Sequence, residues 1–566
     1  MSHLRFEPLP PSQPRKSLAV TFSLLALVVV VVLQACGPKS PKSAETQESE
    51  GSHEAITWFE GDVADAFELA EAQGKPVFLY WGAEWCPPCH YLKDKLFTRP
   101  EFIDRMADFV PVYLDGDTER AQIWGEKLAV KGYPTVIVFN AAGEEVMRMP
   151  STLPVDQYQE VLDSAMDSTR PVQAVLDDVM ARGPASADAT DLAILAFYSW
   201  SQDSSVGLEA AERMSTFRRL YDESPVQLEV ERSRFLTQYL VSAAEARRQT
   251  SGSDEAGRIP DDELATLNLE AVRILSNEAL RSANLGWVLY YSTDTVELLA
   301  PDPGERQSDL ITAWQTAAVE IENDTTLPIN DRLNALMPQI ALARFAAEPE
   351  SAKEDGDSWV ASEALKQHVR ERVSWAADEV SEEGELQTTM NTMAYLLSSV
   401  GLEGEAETLL AARMNDTVAP YYFMSWMGSI KEDAGKTNEA LAWYRKAYES
   451  STGRYSRFRW GSMYLRHLLE LAPEDTQTIE DHSKEVLAEL LTLEDAFSGG
   501  NHSRLQGLER SYWDWNASGD HAATIGSLRD FVLSTCDGFP SDGEDSQRDR
   551  CSSFLAEEGA MSTDPV

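Results

Sequence analysis

Residues 76–90 read PVFLYWGAEWCPPCH, and this stretch constrains the chain more than any other. Val77 to Trp81 are apolar without alternation, and the run is too short for a buried helix. It reads as a central strand covered on both faces. Pro87 and Pro88 then permit only the first turn of a helix. Cys86 and Cys89 fit three chemistries. C-x-x-C-H attaches a c-type haem, W-C-x-x-C is a redox motif, and a Cys pair is half of a zinc site. Haem expects helical surroundings and a second axial ligand, whereas this motif follows a strand in a chain with eight histidines. Zinc expects a second ligand pair, and no Cys or His lies between His90 and Arg170. A purely structural disulfide is the remaining alternative. Neither a cofactor nor a metal is expected.

The surroundings of the motif alternate between strand and helix. Helical period over 62–73 ends at Gly74-Lys75-Pro76. A helix follows the motif to Phe97, and Thr98-Arg99-Pro100-Glu101 reads as a capping box for another. Strands are expected at 110–114, 136–139 and 145–149, with helices at 119–130 and 155–167. The pattern predicts an α/β sandwich with a largely parallel sheet. In that setting Cys86 opens a helix, where free amides and the macrodipole stabilise a thiolate and leave it as an exposed nucleophile. Cys89, one turn in and buried, would resolve a mixed disulfide, and Trp85 would shield the flank. Gly132-Tyr133-Pro134-Thr135 introduces the next strand. A cis bond at Pro134 would present the Tyr133 backbone to a substrate strand.

KPVFLYWGAEWCPPCHYLKDKLFTRPEF, VPVYLD and LAVKGYPTVIVFNAAGE together resemble the thioredoxin family over residues 54–168. The GKPV leading into the strand and the LFTRPEF helix look most like the soluble thiol-transfer domain of the membrane reductant conductor DsbD. W-C-P-P-C is also seen in tryparedoxin-like and TlpA-like members. The resemblance implies Cys86 as nucleophile, Cys89 as resolving thiol and Pro134 as the cis-proline. The family keeps a buried Asp six residues before the first Cys, as proton shuttle. Tyr80 stands there instead, and Glu84 and Asp115 are merely nearby.

The N-terminus reads as a targeting segment. Arg5, Arg15 and Lys16 precede an apolar run from Leu18 to Leu33, and Leu33-Gln34-Ala35-Cys36 looks like a lipoprotein lipobox. Residues 1–35 would be the signal peptide, Cys36 the lipidated first residue, and 36–53 a polar tether. The run is short for a spanning helix; an uncleaved anchor is the alternative. Either reading places the chain in the cell envelope facing the periplasm, and Gly37 in place of Asp points to the outer membrane. An oxidising compartment permits Cys86/Cys89 and Cys536/Cys551 to close as disulfides. The second pair brackets a polar loop and reads as a structural staple, with a redox relay or a calcium loop as alternatives. With 48 basic and 94 acidic residues the net charge is −46, which argues against nucleic-acid partners.

Beyond Arg170 strand patterns fade. Residues 169–380 and 456–566 read as helical. Within 381–455, Ala394, Gly401, Ala406 and Leu410 recur 34 residues later as Gly428, Gly435, Ala440 and Tyr444, and MSWMGSIKEDAGKTNEALAWYRKAYE resembles a tetratricopeptide repeat. The whole reads as an envelope thiol–disulfide oxidoreductase. Its partners would be protein thiols and disulfides, with a DsbD-like membrane protein as electron donor. The competing class is an interaction scaffold with a non-catalytic thioredoxin domain.

Overall fold

The computed structural model describes residues 55–150, 153–167, 170–203, 208–249, 257–347, 359–541 and 546–556. The signal run, Cys36 and the tether lie outside the described residues.

The apolar run becomes β1 (Val77–Gly82), buried at every position and interior to a four-stranded sheet. With β2 (Val110–Asp115), β3 (Thr135–Phe139) and β4 (Glu145–Met149), the order is β2-β1-β3-β4. The sheet is not largely parallel as expected. β1 and β2 pair parallel, whereas β1–β3 and β3–β4 are antiparallel. A helix between strands does not dictate from which end the next strand enters, and the tight turn after β3 forces β4 to reverse.

Successive β1 side chains face opposite ways. Val77, Leu79 and Trp81 pack under α1 (Val63–Gln73) and α4 (Glu119–Lys127). Phe78 and Tyr80 join Leu92, Phe102 and Leu162 from α2 (Pro87–Lys95), α3 (Pro100–Met106) and α5 (Val155–Asp167). Asp62 caps α1 by accepting from the Ala64 amide, and Gly74 closes it in a left-handed conformation. The expected capping box at 98–101 is absent. Arg99 is the N-cap without a side-chain bond, and the Thr98 hydroxyl instead donates back to the Asp94 carbonyl. Pro100 starts the helix unaided because its fixed φ is already helical.

Helices α6 to α26 follow between Val172 and Ser553. None among the described residues is long and apolar enough to cross a membrane. The 34-residue echo falls on two helical hairpins: α18 (Glu383–Ser399) with α19 (Glu403–Arg413), and α20 (Pro420–Asp433) with α21 (Thr437–Ser450). Each hairpin turns at a glycine of positive φ, Gly401 at 79° and Gly435 at 68°. α20 and α21 cross closely because Gly428 has no side chain: a Cβ there would lie 2.5 Å from the Tyr444 ring. Within the region read as helical, α15 (Ile329–Asn334) and α16 (Leu336–Ala347) follow one another with a break at Ala335. α22 (Arg454–Leu471) and α24 (Gly499–Trp515) return the chain to the sheet domain. One apolar cluster runs without a break from Phe78 and Cys89 to Trp460 and Phe554.

Gly428→Val should cost about 1–3 kcal/mol, since Tyr444 is buried and must leave its seat. Urea unfolding should show the loss as a lowered midpoint.

Candidate active site

Cys86 is the N-cap of α2, with extended backbone (φ −82°, ψ 110°), and Pro87 and Pro88 fill the first turn. Its Sγ accepts from the Cys89 amide at 3.2 Å and is bonded to Cys89 Sγ. Once the bond is reduced, the same amide and the positive helix end would face a Cys86 thiolate. The Tyr133–Pro134 bond is cis, and the Tyr133 ring lies edge-on to Trp85 at 5.0 Å.

One expectation fails here. Cys86 is not exposed: it keeps 2% of its surface, Cys89 none and Trp85 6%. The cause is the helical region, which sits on the motif. Gln387 of α18 donates to the Trp85 carbonyl at 3.0 Å, and the Thr388 hydroxyl to the Pro87 carbonyl at 2.7 Å. Tyr422 of α20 stacks on Trp85, Trp460 of α22 meets it edge-on, and the Arg459 guanidinium lies 4.3 Å from its ring centre. None of these residues was singled out from sequence. In the fold α18 is buried along a polar strip, Gln387, Thr388 and Thr392, beside its apolar one.

Tyr80, in the position of the family's buried Asp, is buried and donates to the Cys89 carbonyl at 3.4 Å. Burial pushes its phenol far above the ordinary value, so it stays protonated and serves as no base. His90 turns its ring to the backbone. Its Nε2 lies 2.6 Å from the Glu84 carbonyl, and burial lowers its pKa, favouring the neutral ring.

Two carboxyls join the sheet domain to the helices. Asp117 accepts from the Ser456 amide at 2.7 Å and from its hydroxyl at 2.8 Å. A Cβ at Gly453 (φ +86°) would lie 2.6 Å from Asp117 Cγ, so the approach requires glycine. Asp331 of α15 accepts from the Tyr91 hydroxyl at 2.7 Å. Burial pushes both carboxyls up to about 6.

Cys536 and Cys551 are bonded, with Cα atoms 5.6 Å apart. Both sulfurs sit inside the apolar cluster with Phe539 and Phe554.

A four-stranded sheet covered by helices on both faces, with W-C-x-x-C opening the helix after its central strand, is the arrangement of a thioredoxin-like domain. Residues 63–166 match the family model described as a thioredoxin-like domain. The thiol:disulfide interchange protein DsbD of Yersinia enterocolitica is 32% identical over 135 residues, 23% of this chain and 22% of that protein. DsbD of Salmonella typhimurium is 34% identical over 79 residues, 14% of each chain. Thioredoxin Y, chloroplastic, of Oryza sativa is 30% identical over 100 residues, 18% of this chain and 56% of the relative. The chain thus spans well under two thirds of each of these relatives, and the likeness is to one domain.

Two predictions follow from the geometry around the motif. Tyr80→Phe should cost about 0.5–1.5 kcal/mol at most, because it deletes one long buried hydrogen bond; the alkylation rate of reduced Cys86 should not change. Raised carboxyls add stability in full below their ordinary value of 3.8 and lose it as pH rises through about 6. Calorimetry from pH 4 to 7 should therefore show wild-type Tm falling relative to Asp117→Asn/Asp331→Asn across that window.

Proposed function

We propose that the chain is a thiol–disulfide oxidoreductase acting on cysteines of envelope proteins. The observation that carries the reading is the Cys86–Cys89 bond at the N-terminus of α2, with the Cys89 amide aimed at Cys86 Sγ. In the reducing direction, the Cys86 thiolate attacks a client disulfide. A bond forms between Cys86 Sγ and one client sulfur, the client S–S bond breaks, and the second client sulfur leaves as a thiolate. Cys89, deprotonated by solvent because Tyr80 cannot serve, then attacks Cys86 Sγ. The mixed disulfide breaks, the first client sulfur leaves, and the Cys86–Cys89 bond returns. Two electrons have passed to the client. The oxidising direction is the reverse.

Trp85 and Tyr133 would flank the client, with Pro134 placing the Tyr133 backbone beside it. Cys36 would carry the lipid, holding the domain at the periplasmic face of the outer membrane. A DsbD-like membrane protein is the electron donor this reading needs. Two of the relatives carry thiol:disulfide interchange in their names. The α18–α21 hairpins would serve as a tetratricopeptide-like client surface. The Cys536–Cys551 bond would be a staple contributing about 3 kcal/mol for its 15-residue separation.

Cys89→Ser should accumulate client adducts on Cys86 that thiols release, detected by diagonal electrophoresis of envelope extracts. Cys86→Ala should form none. Absence of adducts in the Cys89→Ser strain overturns the reading. The potential of the couple sets the direction: a value near thioredoxin, about −270 mV, favours a reductase, and one near DsbA, about −120 mV, a disulfide donor.

A further inference from the structure

The redox motif is covered by its own chain. An attacking sulfur must reach Cys86 Sγ, and a protein client must also lay backbone beside Tyr133. With Cys86 at 2% and Trp85 at 6% exposure, neither approach is open. Where α18 meets the motif, the cover has the character of a separable contact, whereas Trp460 of α22 packs in the same apolar cluster as Trp85 and Cys86. Gln387 and Thr388 grip main-chain carbonyls, and the rim is polar: Lys95 pairs with Glu385 at 2.6 Å, Tyr91 bonds to Asp331, and Ser456 to Asp117. Contacts between regions that are this polar release more readily than an apolar core.

The cover is also stiff. The apolar side of α18, with Leu386, Met390, Met393 and Leu397, packs into a cluster made wholly of helical-region residues and separate from the motif's own. Gln387 bridges the parts: its Nε2 donates to Trp85, while its Oε1 accepts from the Ala419 amide at the start of α20. α18 and α20 are thereby linked through the same side chain that holds the motif. One position sets how closely α18 sits. A Cβ at Gly384 would clash with the Asp94 carboxylate on α2, so a small residue there is taken up by that side chain and a bulky one such as leucine pries the two helices apart.

We propose that α18 is an autoinhibitory gate over the Cys86–Cys89 site. Closed, it excludes protein clients; displaced, it releases the Trp85 and Pro87 carbonyls that flank Cys86 and opens the way to its sulfur. The gate goes beyond the exchange reaction proposed above, and its test reads access rather than turnover. Failure of the exchange reading would leave the test standing.

The experiment uses the full-length chain with Cys36→Ser and Cys89→Ser, in which Cys86 is the lone thiol and Cys536–Cys551 stays closed. Cys86 is alkylated with N-ethylmaleimide and with a 5 kDa polyethylene-glycol maleimide, each rate normalised to the urea-unfolded protein. If the open form is a minor population, both reagents should react at least about tenfold more slowly than with the unfolded chain, because the closed form shuts out each. Gly384→Leu should remove at least about tenfold of that difference, as the open population rises. Lys95→Glu should remove part of it, and Lys95→Glu/Glu385→Lys should restore it. Circular dichroism checks that each variant is folded. Should Gly384→Leu not fold, Gln387→Ala/Thr388→Ala takes its place with the same expectation. Reaction of both reagents at about the rate of the unfolded chain, in the otherwise unaltered protein, overturns the gate. A folded Gly384→Leu protein that remains as slow with the large reagent overturns the role of α18.

Discussion

The carbonyl of Trp85 has no donor within its own segment. It lies before α2, and the residues that follow, Pro87 and Pro88, have no N–H to offer, while the Cys89 amide is turned to Cys86. Trp85 is buried, and a buried carbonyl without a partner is costly. Gln387 supplies the donor from 302 residues away. Much of the architecture above the motif serves that bond. α18 is held by an apolar cluster on one side and presents Gln387 and Thr388 on the other, and the Gln387 carbonyl orders the start of α20. The dipeptide that shapes the redox helix thus also makes it depend on the helical region.

The same contact sets the chemistry available at Cys86. The amide-rich end of α2 favours a thiolate, but the surface that would let it act is occupied by Tyr422, Trp460 and Arg459. Tyr80 fills the space of a buried acid with an aromatic that stacks on Tyr113 and stays protonated. Under the proposed gate, solvent would reach buried Cys89 only when the cover moves, so access and proton removal would be coupled.

Local chemistry carried a long way in reading the sequence. An apolar run without alternation, five residues long and bounded by turn residues, suits an interior strand, and β1 is one. The strand bounds at 145–149 and the helix at 155–167 agree with the structure because turn residues flank them. Gly401 and Gly435, 34 residues apart, fall at equivalent hairpin turns because only glycine takes positive φ there without cost. The readings that failed depend on partners far along the chain. Sheet direction depends on which end a strand enters. The Thr98 hydroxyl chose the carbonyl behind it over the amide ahead. Cys86 was expected at the surface because a helix N-terminus is usually wet.

From sequence came the pair Cys86–Cys89 and the helix start that holds it, which follow from neighbours within a few residues, and, through the resemblance to thioredoxins, the class of the domain and the oddity at Tyr80. Tertiary structure alone decided that EWCPPCH is covered, and by which helices. Gln387, Thr388 and Arg459 are ordinary polar residues on helical stretches, and nothing in their local pattern says they will face a carbonyl or a ring three hundred residues away. Hydrogen-bond satisfaction of a buried backbone is settled by whatever the fold brings near, and that is not written at any one place in the chain.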